Sequence, residues 1–133
     1  MRHPAPLAAI ALVLFAAFSG CASQPPSAPA RTGDTGLDRM ERLTLNANRC
    51  WFKSKDPAFA AYSLAPELSS FSGKPRFLLV PKGQPEARPL LVVEGKSGAA
   101  NIDIYGPLTS RTLGGRVDAD LKRWAAGDDR CAA

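Results

Sequence analysis

Histidine, cysteine and long apolar runs are all scarce in this 133-residue chain. The only histidine is His3, beside Arg2 and ahead of the longest apolar stretch, a position typical of an export signal rather than a folded core. Once such a signal is removed, no histidine is left. That excludes Ser-His-Asp and Cys-His nucleophilic catalysis, imidazole acid–base chemistry and the usual zinc sites. No serine is followed three residues later by lysine, so the Ser-x-x-Lys arrangement of penicillin-interacting enzymes is missing too. The three cysteines contain no Cys-x-x-Cys pair. With 45% hydrophobic and 22% charged residues the chain is too apolar to be wholly disordered. Its length holds one small domain and excludes a multidomain enzyme, a repeat array or a polytopic membrane protein.

The longest apolar run, Leu7 to Phe18 (LAAIALVLFAAF), has twelve residues. As a helix it would span about 18 Å, well short of the roughly 30 Å hydrocarbon core of a bilayer. A signal peptide over residues 1–20 fits this better than a membrane span. The run closes on Phe18-Ser19-Gly20-Cys21, which resembles the lipobox of bacterial lipoprotein signal peptides, with Phe18 where Leu is commonest. The resemblance covers only about the first 23 residues. It implies cleavage before Cys21, a diacylglycerol on the Cys21 sulfur and an acyl chain on its amino group, enough chains for stable anchoring. No Asp follows Cys21, and by the same resemblance this points to the outer membrane of a Gram-negative bacterium, facing the periplasm, with an inner-membrane anchor as the alternative.

Residues 21–36 then form a tether (CASQPPSAPARTGDTG) with no large apolar side chain. Near polyproline geometry it would reach on the order of 45 Å. With Cys21 claimed by lipid, Cys50 and Cys131 remain in an oxidising compartment, where two cysteines most often pair. Such a bridge would close a loop of roughly 80 residues and stabilise by about 4.5 kcal/mol on a chain-entropy model. Loss of Arg2 with the signal leaves 16 basic and 12 acidic residues, spread without a block of like charge. A modest positive charge suits anionic lipid, lipopolysaccharide or cell-wall carboxylates, but general solubility is the better reading of charges so spread out. Nucleic acid is not an expected partner in that compartment.

The domain is expected over residues 37–133. Leu37, Met40, Leu43, Ala47 and Cys50 recur at helical spacing, and Thr35 with Asp38 makes a capping box, so a first helix of about 14 residues is expected. Arg39, Arg42 and Arg49 read as its solvated face. Residues 58–73 are irregular, with a short strand near Tyr62 to Leu64. Runs 77–80 and 90–93 are strand-length, and Ile102 and Ile104 alternate with polar residues as in a strand with one wet face. Gly95-Lys96-Ser97-Gly98 has the tail of a phosphate-binding loop, but Leu90 stands where its first glycine belongs; a turn between strands is the better reading. Leu113, Val117, Leu121 and Trp124 describe a last amphipathic helix ending before Gly127, its start blurred by Gly114 and Gly115.

The fold class expected is α+β: a small antiparallel sheet of three to four strands with an N-terminal and a C-terminal helix on one face. Strands apolar at every position want cover on both faces. Residues 58–73 folding across the second face is the favoured reading; the alternative is that this face is an apolar patch for a partner. Trp51, Phe52, Tyr62 and Phe71 are the candidate binding surface, although for Trp51 and Phe52, beside a disulfide, core packing is the better reading. Three functions are consistent with these features. The first is a non-enzymatic, lipid-anchored interaction or envelope-assembly module whose partner is an envelope protein or an anionic envelope glycan or lipid. The second is a small glycan hydrolase using a carboxylate pair drawn from Glu67, Glu94 and Asp103. The third is a binder of an apolar or lipid ligand in a closed pocket behind the sheet. No cofactor or metal is expected.

Overall fold

A computed structural model describes residues 35–69, 71–96 and 101–132. The signal segment, Cys21 and nearly all of the tether lie outside these residues, as do positions 97 and 98 of the expected turn at 95–98. The described chain is α+β. A first helix α1 (Gly36–Ala47) is followed by four strands, β1 (Tyr62–Glu67), β2 (Arg76–Pro81), β3 (Leu91–Gly95) and β4 (Ile102–Tyr105), and a last helix α2 (Thr112–Ala125). The strands form one antiparallel sheet in the order β1-β2-β3-β4.

The α1 start follows from its cap. Thr35 Oγ1 accepts from Asp38 N at 3.1 Å and Asp38 Oδ2 accepts from Thr35 N at 3.1 Å, which places Gly36 inside the helix. The helical path does not end at Cys50. It widens into a π-helical segment, Asn48–Lys53, with Ser54 N donating to Arg49 O. This turn sends Cys50 and Trp51 inward and leaves Phe52 half-buried.

Two expectations for α1 fail. Leu37 is exposed, while Thr44 and Asn46 are buried. The arginine face is solvated only in part: Arg39 is buried and Arg42 half-buried with its Nε 3.7 Å from Asp129, whereas Arg49 is exposed while donating to Asn46 and to the Asp129 carbonyl. The cause is tertiary. The chain end returns over this face, drawn there by the Cys50–Cys131 disulfide, whose Cα atoms are 5.2 Å apart.

The helices cover one face of the sheet. Met40, Leu43, Ala47, Trp51, Phe59, Val117, Leu121 and Trp124 meet Phe77, Leu79, Leu91 and Val93 in a single buried cluster. Close approach is enforced at Gly95, where a Cβ would lie 2.6 Å from Met40 Cγ and 3.1 Å from the Gly36 carbonyl. At the centre, Trp51 stacks on Phe59 at 4.6 Å and meets Trp124 at 5.1 Å. Trp51 Nε1 donates to the buried Asp120 at 2.9 Å, which also accepts from Arg123 at 2.8 Å.

The described residues of 58–73 pack no large apolar side chain against the apolar centre of the second face, contrary to the favoured expectation. Phe59 belongs to the helix side, and residues 62–67 join the sheet as an edge strand longer than expected. The second face has only a small apolar centre of Ala65, Leu78, Val80 and Val92. Beside it runs a polar cross-strand row in which Glu67 faces Arg76, Arg76 faces Glu94 and Glu94 faces Asp103. Long charged side chains at alternate positions thus make this face less apolar than runs 77–80 and 90–93 suggest.

Candidate functional site: a groove beside the edge strand

The groove lies between the π-helical turn and the free side of β1. Phe52, Phe59, Tyr62 and Leu64 give it an apolar wall, and Lys55 and Lys82 stand at its mouth; its volume is about 490 Å³. Local structure explains each position. The widened turn aims Phe52 outward next to buried Trp51. Lys55 follows in a left-handed conformation (φ 58°), which reverses the chain. Asp56 caps the next short turn by accepting from Ala58 N at 2.9 Å. Lys82 is brought in by the β1–β2 ladder, its N–H donating to Ala61 O at 2.9 Å.

The electrostatics of the groove are asymmetric. Asp56 is the acidic residue lining it, and its carboxylate is engaged by Arg116 at 2.5 Å. That hydrogen bond, with the one from Ala58 N–H, holds the Asp56 carboxyl below the usual carboxylate range. Arg116 also sits 5.3 Å over the Phe59 ring. By contrast, Lys55 and Lys82 form no ion pair among the described residues. Arg111 and Arg116 line an adjoining cleft that shares Tyr62. Tyr62 is therefore flanked by cations on both sides.

Of the four candidate binding residues, three adjoin this groove and one does not. Trp51 forms its floor but is only 1% exposed, so it acts as support. Phe52 and Tyr62 are half-buried in its wall. Phe71 is fully exposed elsewhere, lining a separate cleft with Pro66, Glu67, Leu68 and Arg76. The two lysines and Phe59 were not among the sequence candidates. Phe59 stood in an irregular segment, and Lys82 enters only through strand pairing.

The candidate carboxylates share one face of the sheet rather than opposing one another across a cleft. Glu67 binds Arg76 Nε at 2.6 Å, and Glu94 lies 3.4 Å from Lys74 Nζ and 4.0 Å from Arg76. The Glu67 bond, as the largest influence, holds Arg76 above its ordinary range. Tyr105 donates to Glu94 at 3.3 Å. Asp103 is exposed beside Glu94 on β4. Glu67 and Glu94 are thus engaged by cations rather than set across a cleft for a sugar. Behind the sheet, Trp51, Trp124, Phe59, Phe77 and Met40 fill the space a lipid pocket would need. No group of three or more metal-ligating side chains occurs among the described residues.

No protein-family model matches this chain, nor does any curated protein or solved structure. The functional reading therefore rests on the residues themselves. No helix among the described residues is long and apolar enough to cross a membrane.

Proposed function

We propose that this chain is a lipid-anchored periplasmic protein that works as a non-enzymatic interaction module, holding an anionic component of the cell envelope in the groove beside β1. Cys21 carries the anchor, and the residues up to Thr35 are the tether that lets the domain reach away from the membrane. One observation carries the reading: Lys55 and Lys82 flank an aromatic groove whose lining carboxylate is already neutralised by Arg116. Such a site attracts negative charge and offers apolar surface for its attachment.

The test is made in intact cells. A photo-crosslinking residue at Phe52 should yield a discrete adduct that is lost when Lys55 and Lys82 are both changed to Glu. Cys21→Ala should move the protein from the membrane fraction to the soluble periplasm. Absence of any discrete adduct at Phe52 refutes the binding role, and an unchanged membrane fraction for Cys21→Ala refutes the anchor.

A further inference from the structure

The groove follows the outer side of β1, whose backbone has no ladder partner there among the described residues. In the sheet order β1-β2-β3-β4, β1 has a neighbour on one side only among the described residues. Ala61 O accepts from Lys82 N, and the register pairs Ser63 with Val80, Ala65 with Leu78 and Glu67 with Arg76. Strand alternation then turns the N–H and C=O groups of Tyr62 and Leu64 away from β2, along with the C=O of Pro66. Pro66 has no N–H to offer, and a proline is accommodated in a ladder at just such an outward position. The edge is thus a short backbone template with donors at Tyr62 and Leu64, running along the aromatic wall.

We propose that the groove captures an extended acidic polypeptide segment by strand addition to the outer edge of β1. The inference rests on the anionic-partner reading above and names its chemical class. Two observations favour a polypeptide over a glycan or lipid headgroup. Main-chain groups spaced as in a β ladder are complementary to another main chain, and side chains alternating along an added strand would place every second residue against Phe52 and Leu64. Charge selects the occupant. A second copy of this edge would bring more lysine to a groove that is already basic, whereas Asp or Glu on the incoming strand is attracted. Pro66 limits the ladder to a few bonds, so side-chain contacts in the groove supply the rest of the affinity.

The experiment uses the full lipidated protein in detergent micelles, disulfide intact, titrated calorimetrically with four six-residue peptides. One alternates glutamate with valine, one alternates lysine with valine, and two are the acidic peptide N-methylated at alternate residues along one edge or the other. The acidic peptide should bind and weaken with added salt, and the basic one should not. N-methylation of one edge should cost about tenfold or more, the loss expected for two main-chain hydrogen bonds, while methylation of the other edge leaves binding intact. Lys55→Glu with Lys82→Glu, both at exposed positions, should weaken the acidic peptide by about tenfold or more. Equal binding of all methylated forms overturns strand addition but leaves an anionic groove. Binding of an oligogalacturonate with no binding of the acidic peptide also overturns it and keeps the broader reading. Binding of neither probe removes both. A dimer paired through β1, seen by sedimentation and by hydrogen-exchange protection of Tyr62 and Leu64 in the protein alone, assigns the edge to a second copy and overturns the proposal.

Discussion

At the scale of single residues, Asp120 does the most that its sequence position does not announce. It is 2% exposed and accepts from Trp51, 69 positions earlier, while Arg123 and Arg116 lie at 2.8 and 3.7 Å. Asp120→Ala would leave a buried indole N–H without its acceptor and take the carboxylate from Arg123, while Arg116 keeps its bond to Asp56. The expected loss is about 3 kcal/mol of unfolding free energy, read from the urea midpoint. Asp56 links stability to pH. Its carboxyl is held down in the folded state chiefly by the Arg116 hydrogen bond. A lowered folded-state pKa contributes stability that is complete above the unfolded value of about 4 and is lost as pH falls through the folded one. Asp56→Asn should therefore flatten, in part, the decline of stability measured below pH 4. The decline should not vanish, because Asp38 and Asp128 are also held low, by Thr35 and Arg130 respectively.

Among the elements, α2 shows how one glycine of a pair is required and the other is not. Gly114 is buried under the turn at Pro107–Ser110, where a Cβ would fall 2.3 Å from the Thr109 carbonyl oxygen; at Gly115 a Cβ would meet nothing within 4 Å. Gly114→Ala is expected to destabilise by about 1–3 kcal/mol, since the clash is with backbone. Gly115→Ala should stabilise by up to about 1 kcal/mol, the helix-propensity difference. Thermal unfolding of the two variants checks both signs. The sequence shows two glycines in a helical pattern and cannot rank them, because the clash comes from a turn whose placement depends on the sheet. The boundaries of α1 were legible where a local signal exists, in the capping box of Thr35 and Asp38. They were not legible at the other end, where the π-helical turn answers to the packing of Trp51 on Phe59 and Trp124.

For the whole molecule, the disulfide joins the end of the first helical path to the end of the chain, across a sequence separation of 81. Cys50→Ser with Cys131→Ser should lower the unfolding free energy by about 4.5 kcal/mol on the loop-entropy model. The same double variant should loosen the tail that carries Asp129 to Arg42 and Arg49, so protease cleavage should begin beyond residue 127. Full retention of stability in the double variant would show that the tail is held by its ion pairs and by Trp124 Nε1 donating to Arg130 O at 3.0 Å.

The α+β class, the helix at each end, the strand positions within Arg76–Pro81, Leu91–Gly95 and Ile102–Tyr105, and the capping box followed from periodicity and local chemistry alone. Those signals are carried by residues near one another in the chain, so they survive without knowledge of the fold. Tertiary structure alone decided that Arg42 and Arg49 meet Asp129 of the returning tail and that the carboxylates Glu67 and Glu94 are engaged by Arg76 and Lys74. It also separated Phe71 from Phe52 and Tyr62 and brought Lys55 and Lys82 to one groove. Each of these depends on a partner distant in sequence, and charge or exposure is fixed by what the completed fold places opposite a side chain.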